Sequence, residues 1–278
     1  MDIRFVPQAE IDKQLYNSCV HFATNGSLYG YDWFLNATAK EWDLLVEGDN
    51  YVSAMPLPHR KNWLGRSLLQ QPTLVPDLAV YSVKPLSPKR IQSFWDAIPD
   101  RFRGGELTVE PASVPKDSGR FDITTARGDA LFLNKPYEEI TDDFPPAYYE
   151  RMARAEAADL LPAPHLKPEA YADFWLTVNG TTIDNEWKYH AMQRLMYQIL
   201  HRSWGNAVGV QTRDGQLLAA VFNVYSHGRI FPLFPVESEK GADAGAMTYL
   251  MDNVLRGHAG RGLKVSRELV VGSLEYEV

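Results

Sequence analysis

The residues best suited to chemistry in this chain lie between Pro235 and Leu255, in "PVESEKGADAGAMTYLMDNVL". An apolar strand pattern, "IFPLFPVE", leads into Gly241, Ala242, Ala244, Gly245 and Ala246, and these small residues stand directly before an amphipathic helix pattern running from about Ala244 to Leu255. A helix N-terminus leaves its first N–H groups without intrahelical partners, and its dipole favours negative charge. Side chains this small would let a pyrophosphate reach those groups, with Lys240 adding a positive charge. Glu237, Glu239 and Asp243 oppose that reading, because carboxylates beside an anion site repel the anion. The segment matches neither the G-x-x-x-x-G-K-[ST] phosphate loop nor G-x-G-x-x-G. Two readings stand: a cradle for a phosphate-bearing cofactor, or a small-residue helix start.

Other reactive residue types point away from nucleophilic and metal chemistry. The single cysteine, Cys19, excludes an intramolecular disulfide and a thiolate cluster. It lies in "IDKQLYNSCVHFATNG", where apolar residues recur at helical spacing, which predicts a small buried side chain rather than a nucleophile. His190 and His201 are eleven residues apart, about three helical turns, so they share a helix face but cannot reach one ion. No metal is expected, and no Ser-His-Asp or Cys-His arrangement stands out.

The elements that must position the candidate residues come from a chain of 278 residues, 45% hydrophobic, enough for one large domain or two of ordinary size. A net charge of -7 argues against a large attraction to polyanions, so DNA is not an expected partner. Locally, "PHRKNWLGR" from Pro58 to Arg66 gathers basic residues, read as a solvated hairpin loop or a basic patch. No run approaches the roughly 18 apolar residues of a spanning helix, and a soluble, cytoplasmic protein is expected.

In the first half, the patterns predict a strand at "IRFVP", helices over Ile11–Phe22 and "SLYGYDWFLNATA", a hairpin "WDLLVE"/"YVSAMPLP" with positive φ at Gly48 and Asn50, and a helix in "SPKRIQSFWDAI". "ELTVE" and "ALFLN" read as strands. A Pro-, Ala- and charge-rich stretch then places a boundary near residue 140, giving domains 1–140 and 141–278. The second half reads as three helices, the longest in "EWKYHAMQRLMYQILHRSW", then a meander "AVGVQT", "QLLAAVFNVY", "IFPLFPVE". "WDLLVEGDNYVSAMPLP" and "AVGVQTRDGQLLAAVFNVY" share an order of strand, Gly-bearing turn and strand, which suggests two copies of one unit.

A meander ending in an apolar strand, a Gly/Ala-rich turn, an amphipathic helix and "GRGLKV" resembles the cofactor half of the GCN5-related N-acyltransferase (GNAT) fold. The whole chain, over roughly residues 3–263, resembles the Fem-type (FemAB-like) subfamily. That likeness is carried by "YGYDWFLNAT" with "WDLLVEGDNYVSAMPLPHRKNWLGRSLLQQP", and by "LNKPYEEI", "RMARAEAADL" and "DGQLLAAVFNVYSHGRIFPLF" through "GADAGAMTYLMDNVL". It implies an α/β fold of tandem GNAT-like domains, each a mostly antiparallel meander sheet flanked by helices. Two departures are visible: the helix "YYERMARAEAADL" keeps only Arg151 and Arg154 as cations, and "GLKVSRELVVGSLEYEV" reads as a divergent or shortened C-terminal end.

The resemblance implies acyl transfer to an amine, without a covalent enzyme intermediate, from acyl-CoA as donor or, less favoured by the acidic balance, aminoacyl-tRNA. Pro235 and Val236 would position the acyl ester, and Lys240, Gly241, Gly245 and Ala246 would hold the phosphates. Tyr225 is the first candidate for general base and Glu186 the second. Tyr29, Tyr31, Trp33, Arg60 and Gln71 are candidates for binding the acceptor, a small-molecule amine or cell-wall precursor, with core packing the alternative for the aromatics. The rival to catalysis is a GNAT-like scaffold that binds without reacting.

Overall fold

The chain, analysed as a computed structural model, is described over residues 2–126 and 129–271. It divides into units 1–127 and 128–278. The division falls before residue 140 because Ala130–Phe132 pairs into the sheet of the second unit and Tyr137 is bonded to Asp252 there.

The first unit contains β1 (Ile3–Val6), α1 (Lys13–Phe22), α2 (Asp32–Thr38), β2 (Glu41–Glu47), β3 (Ser53–Lys61), β4 (Ser67–Gln70), β5 (Tyr81–Ser82), α3 (Pro88–Asp96), β6 (Phe102–Val109) and β7 (Phe121–Thr125). Its sheet runs β1-β2-β3-β4-β6-β7, with β5 paired to β3. The first four strands are antiparallel, whereas β4, β6 and β7 run parallel.

Local signals explain most of these elements. Asp12 caps α1 by accepting from the N–H groups of Gln14 and Leu15, both at 3.0 Å. Ser87 caps α3, Pro88 opens it, and Ile91, Phe94 and Trp95 are buried. The stretch expected as one aromatic helix breaks into a short 3-10 turn, Leu28–Gly30, and α2. The break falls at Tyr31, whose backbone is extended (ψ 142°), and Gly30 beside it lies against Tyr81, where a Cβ would stand 2.4 Å from the ring. In the β2–β3 hairpin the positive φ values fall on Gly48 (70°) and Tyr51 (50°), not on Asn50. Cys19 is buried in α1, and burial pushes its thiol pKa up to about 12, so it stays protonated and packs rather than reacts.

The second unit contains β8 (Ala130–Phe132), α4 (Tyr137–Thr141), α5 (Pro146–Ala157), β9 (Leu161–Ala163), α6 (Pro168–Asn179), α7 (Ile183–His201), β10 (Gly205–Gln211), β11 (Leu217–Ser226), β12 (Arg229–Glu237), α8 (Glu239–Ala244), α9 (Ala246–His258), β13 (Lys264–Ser266) and α10 (Arg267–Val271). Its sheet runs β8-β13-β12-β11-β10-β9, antiparallel except where β12 meets β13. α9 buries Met247, Leu250, Met251 and Leu255 in a core shared with Val210, Leu218 and Val221 of the sheet. Each such side chain contributes about 1.5–3 kcal/mol on full burial.

A polar knot fastens this layer. Asp252 of α9 is 2% exposed, and its Oδ1 accepts from the hydroxyls of Tyr137 and Tyr148, each at 2.5 Å, while Arg256 Nε donates to its Oδ2 at 2.7 Å. Burial and these bonds raise the pKa of both phenols, which stay protonated donors. The knot therefore ties α4 and α5 to α9. Of the segment expected to be shortened, residues before 272 form β13 and α10, and residues 272–278 lie outside the described residues.

Candidate functional site

β11 and β12 pair regularly until Ala220↔Val236, after which the register jumps to Phe222↔Leu233. Phe234 and Pro235 therefore stand against Val221 in a β-bulge, with Phe234 at a φ of 54°. The strain is held by Tyr171 of α6, fully buried, whose hydroxyl donates to the carbonyl oxygen of Phe234. Burial raises the Tyr171 pKa well above the usual phenol value, so the donor keeps its proton.

β12 meets β13 in parallel, with Arg229 opposite Lys264. At its C-terminal end β12 passes through Ser238, which caps α8 by accepting from Gly241 N–H at 3.1 Å, and into α9.

The small-residue segment is itself helical: α8, a left-handed Gly245 (φ 71°), and α9 replace the expected turn. Its glycines serve close packing. A Cβ on Gly241 would stand 2.4 Å from the Leu218 carbonyl oxygen, and one on Gly245 2.4 Å from that of Arg151. The α9 N-terminus is already occupied by a side chain of the protein, since Glu237 Oε1 accepts from Met247 N–H at 2.6 Å. Burial raises the Glu237 pKa, opposed by that hydrogen bond and by the charges of Arg151 and Arg154. Arg151 Nε is buried without a partner among the described residues. Lys240, exposed, donates to Gln216 Oε1 at 2.7 Å.

Pro235, Val236, Gly241, Gly245 and Ala246 thus share one strand-to-helix corner, with Lys240 on its outer side. The catalytic candidates are not gathered there. Tyr225 lies four residues beyond Val221 on β11, about 13 Å along the strand, with its ring 5.4 Å from that of His258 at the far end of α9. Burial raises its pKa, opposed by Arg261. Glu186 is exposed on the first turn of α7. Tyr225 N–H donates to the Trp204 carbonyl oxygen beyond the other end of that helix, at 2.7 Å, so about 24 Å of helix separates the two candidates.

The acceptor candidates of the first unit also separate. Tyr31 and Trp33 are 4% and 8% exposed and stack at 5.8 Å, as core side chains. Tyr29 is half-buried and meets Phe34 edge-on. Gln71 spends both ends of its amide on backbone, donating to Val75 O and accepting from Thr108 N–H. Arg60 is exposed near the β3–β4 turn. Sequence reasoning missed Asn206 and Asn223, cross-strand neighbours on β10 and β11, whose side-chain oxygens are buried without a partner among the described residues. Asn223 shares the face of β11 that carries Val221 and Tyr225. Two polar residues in otherwise apolar strands were the signal.

Two mixed sheets flanked by helices give the chain a tandem GNAT/Fem-like fold. The chain is similar to the crystal structure of FemX, with a TM-score of 0.62 and 11% sequence identity over 96% of this chain and 88% of that one. The C-terminal domain (DUF2156) of a putative lysylphosphatidylglycerol synthetase from Agrobacterium fabrum aligns over 92% of this chain and 77% of that one, at 10% identity and a TM-score of 0.45. No protein-family model matches the chain. No curated protein matches it significantly in sequence.

Proposed function

We propose that this chain transfers an acyl or aminoacyl group from an activated donor, acyl-CoA first, to an amine. The observation that carries the reading is the corner where β12 ends: a bulge held by Tyr171, then a helix N-terminus where Glu237 Oε1 accepts from Met247 N–H within the field of Arg151 and Arg154. The donor's phosphates would replace the Glu237 carboxyl group that accepts from Met247 N–H. The amine nitrogen would then attack the acyl carbon, forming the C–N bond as the C–S bond breaks; the nitrogen gives up one proton and the departing sulfur takes one up, so that an amide and a thiol are released. Asn206 and Asn223 offer carbonyl oxygens to amine N–H groups, and Tyr225 is suited to returning a proton to the leaving group.

Glu237 also favours a second reading, because a carboxyl group fixed at the α9 N-terminus suits a scaffold that binds without reacting. Calorimetric titration of the full chain with acetyl-CoA and a longer acyl-CoA separates the two. Saturable binding of either supports the transferase and directs the search to acceptor amines. Absence of binding by both overturns acyl-CoA as donor and leaves aminoacyl-tRNA or the scaffold.

A further inference from the structure

The β3–β4 hairpin ends in a side chain that folding leaves outside. Trp63 is 90% exposed and its neighbour Leu64 52%. Arg60, Lys61 and Arg66 flank them along the hairpin, all exposed, and no carboxylate occurs from Pro58 to Ser67 in a chain whose net charge is -7. The acidic character of the protein is thus reversed at one tip.

The tip is built, not loose. Asn62 N–H donates to the Arg66 carbonyl oxygen at 2.9 Å, and Gly65 N–H to that of Asn62 at 2.9 Å. The Asn62 side chain accepts from the N–H groups of Leu64 and Arg66 at 3.0 and 2.9 Å. Gly65, at a φ of 73°, allows the chain to close. With these N–H groups satisfied internally, moving the tip out of water strands few polar groups. The fold therefore presents an indole and a leucine on a preorganised turn, flanked by cations.

We infer that this hairpin docks the protein on an anionic lipid bilayer, Trp63 and Leu64 entering the interface while Arg60, Lys61 and Arg66 lie against the headgroups. Indole rings favour the headgroup level, where an apolar body and a polar N–H are both accommodated. Basic residues next to an inserted apolar pair add attraction that depends on lipid charge and salt. A bilayer fits these observations better than RNA because Leu64 offers no stacking face, whereas both tip side chains are apolar. Docking of this kind is independent of the transfer chemistry proposed above.

Co-sedimentation of the full chain with phosphatidylcholine vesicles, and with equimolar phosphatidylcholine–phosphatidylglycerol vesicles, tests the inference. Binding is expected to the anionic vesicles, to weaken as salt rises above about 0.1 M, and to be small on phosphatidylcholine alone. Trp63→Ala should lower partitioning about tenfold, and Lys61→Glu/Arg66→Glu should remove the preference for anionic lipid. These side chains are exposed, and an unchanged near-ultraviolet circular dichroism spectrum outside the Trp63 contribution verifies the fold. Wild-type protein that stays in the supernatant with anionic vesicles overturns the inference. So does a Trp63→Ala variant that sediments like wild type, or a tip that binds tRNA through Trp63 without binding vesicles.

Discussion

Replacing Asp252 with Ala removes the acceptor shared by Tyr137, Tyr148 and Arg256. The magnitude follows from what each partner can find afterwards. Tyr148 is 1% exposed, so its hydroxyl loses a bond to a carboxylate and is left dry, a change of about 2–3 kcal/mol. Tyr137 keeps the Arg256 Nη2 contact at 2.7 Å, and the Arg256 side chain is 56% exposed, so these two add little beyond about 1 kcal/mol. The sum is about 3 kcal/mol, which corresponds to roughly 6–12 °C in the melting temperature of a unit of this size. Calorimetric unfolding of the full chain reads it directly. Tyr148→Phe in the Asp252→Ala background removes the stranded hydroxyl and should restore at least about 1 kcal/mol. An Asp252→Ala variant within about 0.5 kcal/mol of wild type, or a double variant no more stable than Asp252→Ala, would mean that the bonds to Asp252 do not fasten this layer.

Gly241→Ala and Gly245→Ala should each destabilise the protein by about 2–3 kcal/mol in thermal melting, because each Cβ meets a backbone oxygen at 2.4 Å and Gly245 is left-handed; a neutral result at either site contradicts the packing role. Asp43 is buried, which raises its pKa, but hydrogen bonds from His59 and Gln8 N–H and the charges of His59 and Arg101 outweigh burial and lower it from 3.8. Its stabilising contribution is complete above that ordinary value and lost as pH falls through the lowered one, so Asp43→Asn should lower stability at neutral pH and narrow the gap in acid titrations of the melting temperature. Glu237 has the opposite sign. Its raised pKa favours the folded state at low pH, and that advantage disappears as pH rises through 4.5 and the raised value. Glu237→Gln, which keeps an acceptor for Met247 N–H, should therefore melt no lower than wild type at neutral pH.

The sequence carried the meander and the helices because their signals are local. Asp12 and Ser87 cap as their residue types predict, and Ile91, Phe94 and Trp95 mark a buried helix face. What it concealed depends on neighbours remote in sequence. Gly30 is small because Tyr81 lies over it, and Gly241 and Gly245 are small because Leu218 and Arg151 backbones press on them. Small residues read as openness toward a ligand are here contacts with the protein itself. Likewise Glu237, which opposed a phosphate in the sequence, acquires its meaning only where folding carries it to Met247 N–H. Tyr31 and Trp33 followed the packing alternative, as aromatics with apolar neighbours do.

On the proposed function, the donor's phosphates displace the Glu237 carboxyl from the α9 N-terminus. Calorimetric titration of acetyl-CoA into wild type and Glu237→Gln, at neutral and mildly acidic pH, reads that displacement. Affinity on the order of tenfold higher is expected in the variant, because a competing carboxylate has been removed beside the phosphates. Wild-type affinity should rise as pH falls through the raised Glu237 value, while the variant stays level. Saturable binding with equal affinity in both proteins at both pH values would place the donor elsewhere.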